Sequence, residues 1–233
     1  MKKLKLLFII FILYFSFFFG CKTLSNLEKK ETYEDLKRKY PLYPLLFINK
    51  FEFEGFLVIE KSKINDIKPG SYNVNLSYIK NSYIKIIANI KFASKDIEIL
   101  NLDYDFVNDK GYISFMQSDK RIFNEEYLKS IDDRFSKDNL LYLINSIFLF
   151  FDKEQIDIIK NEGEHYFRDF IYIVENKIIN KAILNIFIFY FYFYYKNYIY
   201  FNDIYYPSII AFDFNNEIIG KLIFNKIFYL INH

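Results

Sequence analysis

Residues 72–78 read Tyr-Asn-Val-Asn-Leu-Ser-Tyr, and they alternate apolar and polar side chains more regularly than any other part of the chain. Successive side chains of a β-strand point to opposite faces of a sheet. The pattern therefore predicts a strand with one buried face and one solvent-exposed face. The predicted buried face carries Tyr72, Val74, Leu76 and Tyr78.

Strand patterns continue on both sides of this stretch. Residues 51–60 alternate and then run apolar, residues 83–90 are rich in isoleucine, and residues 97–106 alternate apolar side chains with acids and asparagine. Residues 108–111 read Asn-Asp-Lys-Gly, a turn in which the glycine can take a positive φ, and residues 112–116 return as the partner strand. These patterns predict a series of antiparallel hairpins.

The pattern changes to a helical one near the middle of the chain. Asn124 can cap one short helix, and Ser136 or Asp138 can cap a second. In the second helix apolar residues recur at helical spacing, so it has a broad apolar face that must dock on a sheet. The residues of that face considered as a cover for a binding site are Leu143, Ile147 and Phe151.

Strand patterns resume after Phe151. Ile156 and Ile158 alternate with polar residues, and the apolar residues 182–195 are crowded with β-branched and aromatic side chains, which favours a strand or hairpin. The predicted fold class is therefore α+β, with one long antiparallel sheet interrupted once by helices that pack on one face. The strands expected in this second half include residues 170–174, 182–195, 198–201, 208–214 and 217–228.

The N-terminus has the pattern of a secretory signal. Three lysines occur among the first five residues, residues 6–19 are uncharged, and Gly20 and Cys21 follow. The apolar stretch is shorter than the about 20 residues that a membrane-spanning helix needs. Cys21 is the only cysteine of the chain and stands where a lipoprotein signal peptidase would leave it. We expect a covalent lipid such as palmitate on Cys21; the alternative is a signal that is plainly cleaved or retained.

These observations divide the chain into three parts. Residues 1–20 are the expected lipoprotein signal peptide, residues 21–40 a lipid-anchored tether with an N-terminal helix over residues 26–39, and residues 41–233 a single domain. Removing the three signal lysines from 31 basic and 29 acidic residues leaves 28 and 29, or a net charge of −1. A nearly neutral chain without a basic stripe argues against binding to nucleic acid.

Motifs for catalysis are not found. His165 stands beside two glutamates in a predicted turn, and His233 is the last residue of the sequence. No zinc-peptidase, nucleophile-elbow or nucleotide-binding pattern occurs. We therefore expect a monomer that is not an enzyme, with no metal and no cofactor apart from the lipid. Aromatic residues make up 22% of the chain, but a biased composition can explain part of that, so their number alone does not mark a site.

The order of these elements resembles the LolA/LolB-like family, whose members form an unclosed antiparallel β-barrel with helices on or across its concave face. Phe53-Glu54-Gly55 looks like the start of the family's sheet, the hairpin across Gly111 is similar to its middle strands, and residues 124–151 fall where the family places its helices. Tyr206-Pro207-Ser208 before a closing hairpin looks like the family's ending. The resemblance spans residues 26–228.

The resemblance implies a function. With a lipid on Cys21 the chain would correspond to the LolB-like branch, lipoproteins of the outer membrane that accept acylated lipoproteins from a periplasmic carrier and pass them to membrane lipid. The nearest match to the family's membrane-touching loop residue is Phe92. The alternative function is a surface or periplasmic lipoprotein with an adhesive or envelope-assembly role, in which the predicted cavity residues are ordinary core. The acyl-chain cavity expected on the first reading is formed by Tyr72, Val74, Leu76, Tyr78, Leu143, Ile147 and Phe151.

Overall fold

A computed structural model describes residues 32–63, 68–92, 95–115, 120–131, 136–186, 189–201 and 204–231. The chain divides into two compact units, one ending at Leu36 and one beginning at Lys37. The signal peptide and Cys21 lie outside the described residues, so both stay predictions. The described strands all belong to the second unit.

Helix α1 (Tyr33–Lys39) begins with a reciprocal cap. The Thr32 hydroxyl accepts a hydrogen bond from the Asp35 N–H (3.2 Å), and the Asp35 carboxylate accepts one from the Thr32 N–H (3.1 Å). The first turn is acidic and the last turn basic, as the helix dipole favours. The helix ends before Pro41, which supports the C-terminal boundary predicted from the sequence.

Six strands form the first half of the sheet. A 3-10 helix (Tyr43–Phe47) leads into the first of them. The sequence predicts a positive φ at Gly111 in the turn between the fourth and fifth strands. In the structure Asp109 takes the positive φ (50°) instead. Gly111 lies inside the fifth strand, where a side chain would collide with the rings of Tyr104 and Phe123. The strands are β1 (Ile48–Ser62), β2 (Gly70–Ile79), β3 (Tyr83–Phe92), β4 (Lys95–Asp105), β5 (Lys110–Phe115) and β6 (Arg121–Phe123).

A helical insert follows β6. Asn124 Oδ1 accepts from the Tyr127 N–H (2.9 Å) and Ser136 Oγ from the Asn139 N–H (3.2 Å), so both predicted caps are confirmed. The strand expected around Ile156 and Ile158 is wrong, because a capping box between Asp152 and Gln155 starts a helical turn there. The insert comprises α2 (Glu125–Ile131), α3 (Lys137–Ile147), a 3-10 turn (Lys153–Gln155) and α4 (Ile156–Lys160).

Six more strands complete the sheet. The apolar residues 182–195 form parts of two strands of a hairpin, and residues 198–201 are the end of its second strand. The last hairpin turns at Asn215 and Asn216, which both have positive φ (52° and 58°), as a two-residue turn of this kind requires. The strands are β7 (Gly163–Phe167), β8 (Phe170–Glu175), β9 (Ile178–Ile186), β10 (Phe189–Phe201), β11 (Ile204–Phe214) and β12 (Ile218–Ile231).

All twelve strands belong to one antiparallel sheet. Its order is β6-β5-β4-β3-β2-β1-β12-β11-β10-β9-β8-β7, so within each half of the chain consecutive strands are neighbours, and β1 pairs with β12 in the centre. Within the described residues the two edge strands, β6 and β7, do not pair with each other, and the sheet is unclosed. The helical insert connects these two edges. The predicted α+β arrangement, with one helical interruption near the middle, is confirmed.

Candidate functional site

The sheet has an inner face, which we define as the side that packs against helix α3 and residues 148–151. Residues directly opposite each other in antiparallel strands share a face. Tyr78 is inward, since its hydroxyl donates to Asn145 Oδ1 of α3 (2.6 Å). Its partners Phe51 on β1 and Ile84 on β3 are therefore inward too.

Four inward tyrosines, which we call the tyrosine clamp, hold the C-terminal end of α3. They are Tyr78, Tyr172, Tyr195 and Tyr206, from β2, β8, β10 and β11. The last carbonyl groups of a helix have no hydrogen-bond partner within the helix. Hydroxyl groups from the sheet therefore supply the missing donors. Burial raises the pKa of Tyr78 to about 12, and it raises the pKa of the other three as well. The acceptors are, in the same order, Asn145 Oδ1 (2.6 Å) and the carbonyl oxygens of Ser146 (3.3 Å), Ile147 (3.0 Å) and Phe148 (2.9 Å).

Residues 148–151 fill the inner face beyond the helix. The Phe150 N–H donates to the Asn145 carbonyl (2.8 Å), and Leu149 takes a positive φ of 58° while completely buried. The Phe150 ring stacks on Tyr78 at 5.2 Å, and Phe151 meets Tyr172 edge-on at 5.3 Å. This end of the inner face is a solid core.

The seven predicted cavity residues divide into two groups. Val74, Leu76 and Phe151 are buried, with 4%, 3% and 0% of their surface exposed, and Tyr78 belongs to the clamp. The sequence predicts that Phe151 and other residues of the helix cover Tyr78. In the structure the ring of Phe150 covers Tyr78 instead. The remaining three residues, Tyr72, Leu143 and Ile147, are only half-buried.

Much of the inner face away from the clamp is only half-buried. In helix α3 the only buried side chain is that of Ser146, and every leucine and isoleucine retains solvent exposure. Strand pairing places further half-buried apolar side chains inward, since Leu57 faces Tyr72 and Leu222, and Ile86 faces Leu76. Alternation within residues 97–106 could have pointed to Leu100 and Leu102, but only register assigns their face. The inward residues that sequence reasoning missed are Leu57, Ile86, Leu100, Leu102 and Leu222.

A polar cleft of about 420 Å³ lies at the clamp end of the sheet. Lys80 Nζ reaches across it to Asp152 (2.9 Å) and to the Phe151 carbonyl (2.7 Å). Because Lys80 Nζ already makes two polar contacts within the protein, we assign this cleft a structural role and not a binding role. Its lining residues are Leu46, Phe47, Asn49, Lys80, Asn81, Asp152 and Lys153, and none of them belongs to the predicted cavity.

Other predicted features can be placed only in part. Phe92, which the resemblance places on the loop after the third strand, is the last residue of β3 and pairs there with Lys95. His165 Nε2 lies 3.0 Å from the Asn161 carbonyl. Among the residues that the structure describes, no three His, Cys, Asp or Glu side chains converge as a metal site requires. No helix in this part of the chain has the length and apolar character needed to cross a bilayer.

Fold and site together define a class: in the described part of the chain, an unclosed antiparallel sheet of twelve strands has an inner face that is held by a helical insert and is only partly buried. No protein-family model matches the chain, and no curated protein matches it either. The proposals on function therefore depend on the geometry of this face.

Proposed function

We propose that this protein is a lipid-anchored component of the bacterial envelope that binds acyl chains between helix α3 and the inner face of its sheet. The observation that carries the proposal is incomplete burial of apolar side chains on helix α3 and on the inner face of the sheet. Large aliphatic residues in a finished core are usually buried and close-packed. Here the aliphatic residues of α3 and inward residues such as Leu57 and Leu222 retain solvent exposure.

An acyl chain is a suitable occupant because it needs no specific chemistry. Each buried CH₂ group contributes roughly 0.8 kcal/mol, so a long chain lying on this face gains substantial affinity. Transfer then requires only different affinities for the chain in a carrier, in this protein and in the membrane. The proposal assigns the protein to lipoprotein or lipid trafficking to the outer membrane, with acylated lipoproteins, a periplasmic carrier and membrane lipid as partners.

The half-barrel shape and the LolA/LolB-like relationship belong to the same proposal. Support comes from the element order: a helix, six strands, a helical insert and six strands. Further support comes from Gly55 of the Phe53-Glu54-Gly55 motif, which lies inward between Val74 and Phe224 at a register shift of β1. In this proposal α3 lies across the concave side, and the edges at β6 and β7 flank the opening.

Two adjacent isoleucines of β3 give a matched test. Ile86 is inward, opposite Leu76 and Leu102, whereas Ile87 is outward between two asparagines, and both are half-buried. Native mass spectrometry of the mature chain carrying Cys21→Ser, with a synthetic diacylated lipopeptide, should show a one-to-one adduct. Ile86→Gln should weaken that adduct by about tenfold, the equivalent of about 1.4 kcal/mol of lost apolar contact. Ile87→Gln should not change it.

Circular dichroism of both variants separates a loss of binding from a loss of fold. An absence of any lipopeptide adduct with the folded wild-type chain contradicts the proposal, as does equal weakening by the two substitutions. The adhesive or envelope-assembly role would then be the better hypothesis.

The anchor is tested separately at Cys21. Cells expressing the chain and fed an alkyne analogue of palmitate should incorporate the label into the wild-type protein and not into Cys21→Ser. Equal labelling of the two proteins would show that the lipid is not on this cysteine, whatever the result of the binding assay.

A further inference from the structure

The outer face of the sheet, opposite to the inner face, is chemically divided. Over β2 it carries Asn73, Asn75 and Ser77, as expected for a face in water. Over β8 to β12 it is rich in isoleucine and tyrosine, in residues that are half-buried or exposed. An apolar face that is not part of a core commonly marks an interaction site.

Three tyrosines form a row on this part of the outer face. Tyr190, Tyr192 and Tyr194 alternate along β10 with residues that point inward, so the core does not account for them. Successive rings are 6.4 Å apart and near-parallel, and the Tyr190 side chain is 45% exposed. Lys181 Nζ lies 4.6 Å from the Tyr192 ring centre and 5.4 Å from that of Tyr194, and Lys196 Nζ lies 5.8 Å from Tyr194. The row therefore combines aromatic surface with two ammonium groups.

A cleft of about 340 Å³ adjoins the row at Tyr194. The small Ala211 lies opposite both Tyr194 and Lys221, so longer side chains border it on two sides. Lys221 is bound to Glu60 (2.7 Å), whereas Asp213 accepts one hydrogen bond, from the Asn216 N–H (2.8 Å). A carboxylate has about four acceptor positions, so Asp213 can accept more. The cleft thus offers an aromatic wall, hydrogen-bond donors and a carboxylate acceptor.

We propose that this tyrosine row and the adjoining cleft, together the tyrosine–lysine groove, bind a strand of cell-wall glycan. A sugar ring has apolar C–H faces, which pack on the electron-rich face of an aromatic ring. Its hydroxyl groups both donate and accept, which suits a cleft with lysines and Asp213. A row of three rings fits a chain of sugars better than one sugar, and Lys181 and Lys196 favour a glycan that carries carboxylates.

Two alternative explanations of the groove, a lipid bilayer as the ligand and a purely structural role, fit less well. A bilayer could contact the tyrosine row and its lysines, but a broad lipid surface would not reach into the cleft beside them, so Asp213 would gain no hydrogen-bond partner from it. A purely structural role, in which the rings and lysines only stabilise a solvent-exposed sheet face, explains the row but not the cleft beside it. Both alternatives are outcomes of the experiment below.

The experiment measures co-sedimentation of the mature Cys21→Ser chain with purified, protein-free peptidoglycan, beside vesicles containing phosphatidylglycerol. We expect the wild-type chain to sediment with peptidoglycan and not with vesicles. The double substitution Tyr192→Ser/Tyr194→Ser should lower the bound fraction at least fivefold. Tyr112→Ser, on the outer face of β5, is the matched control and should bind as wild type does.

A second variant protects the test against misfolding. Lys181→Gln/Lys196→Gln keeps the rings and should weaken binding to peptidoglycan and make it less sensitive to salt. The proposal is overturned if the wild-type chain stays in solution, if the tyrosine variant sediments as wild type does, or if vesicles are bound in place of peptidoglycan. Because the groove and the acyl site lie on opposite faces, lipopeptide binding should be the same in all these variants.

Discussion

Single hydroxyl groups decide how helix α3 meets the sheet. The tyrosine clamp satisfies oxygen atoms of four consecutive residues, 145 to 148, from four different strands. A buried carbonyl without a partner costs about 1–3 kcal/mol, so each donor matters more than its own bond energy suggests. The clamp fixes one end of α3, and the half-buried apolar residues occur along the rest of the helix.

Tyr206→Phe tests the clamp at one atom. The substitution keeps the buried ring and removes the donor to the Phe148 carbonyl (2.9 Å). We expect the free energy of unfolding, measured by urea denaturation, to fall by about 1–3 kcal/mol. Tyr200→Phe is the control, since that side chain is 65% exposed, and it should change stability very little. Equal effects of the two substitutions would mean that the clamp does not stabilise the fold.

Strand β1 shows how one element joins the two halves of the sheet. It pairs with β2 on one side and with β12 on the other, and its register with β12 shifts at Gly55. A side chain at Gly55 would run into the backbone carbonyl of Ile223. Because backbone cannot move aside as a flexible side chain does, the central pairing depends on the missing Cβ.

Gly55→Ala should therefore destabilise the protein. Overpacking against a well-packed neighbour typically costs about 1–3 kcal/mol, and a clash with backbone belongs at the upper end of that range. Gly70→Ala is the matched control, because a Cβ at Gly70 meets only ordinary contacts with the Tyr72 side chain. Thermal unfolding should show a lower midpoint for Gly55→Ala alone. Similar midpoints for both variants would contradict this account of the β1–β12 pairing.

The whole molecule is held by buried neutral tyrosines, and this makes its stability sensitive to alkaline pH. Burial raises the pKa of Tyr78 and that of Tyr142 to about 12 and raises the pKa of Tyr172, Tyr195 and Tyr206 as well. In the unfolded chain a tyrosine titrates near 10. The protonated form is therefore favoured by folding: the stabilisation is complete below about pH 10 and is lost as the pH rises toward 12.

Urea denaturation at pH 8, 10 and 11.5 measures this loss. One pKa unit corresponds to about 1.4 kcal/mol, so with a folded-state pKa of about 12 Tyr78 alone contributes roughly 2 kcal/mol to the loss between pH 8 and 11.5. Because alkaline pH affects other groups of the chain as well, the informative comparison is with Tyr78→Phe, whose stability should depend less steeply on pH. Identical slopes for wild type and Tyr78→Phe would show that this hydroxyl does not take part.

Local sequence patterns predicted most of the strands, helices and turns. The alternation of residues 72–78, the caps at Asn124 and Ser136 and the turn at Asn215 and Asn216 all express preferences of a few neighbouring residues, which a sequence displays directly. The prediction of a strand at Ile156 is wrong because two alternating isoleucines are compatible with a strand or a helix. The capping box between Asp152 and Gln155 starts a helical turn there.

By itself, the sequence determined the fold class, the single helical interruption and the inward face of β2. Tertiary structure alone decided which residues share a space, because Leu57 and Leu222 become neighbours only when distant strands pair. It also divided the aromatic residues 190–195 into an inward set, of which Phe193 and Tyr195 are buried, and an outer row of tyrosines. A period of two shows that two faces exist, but only packing decides which face is covered.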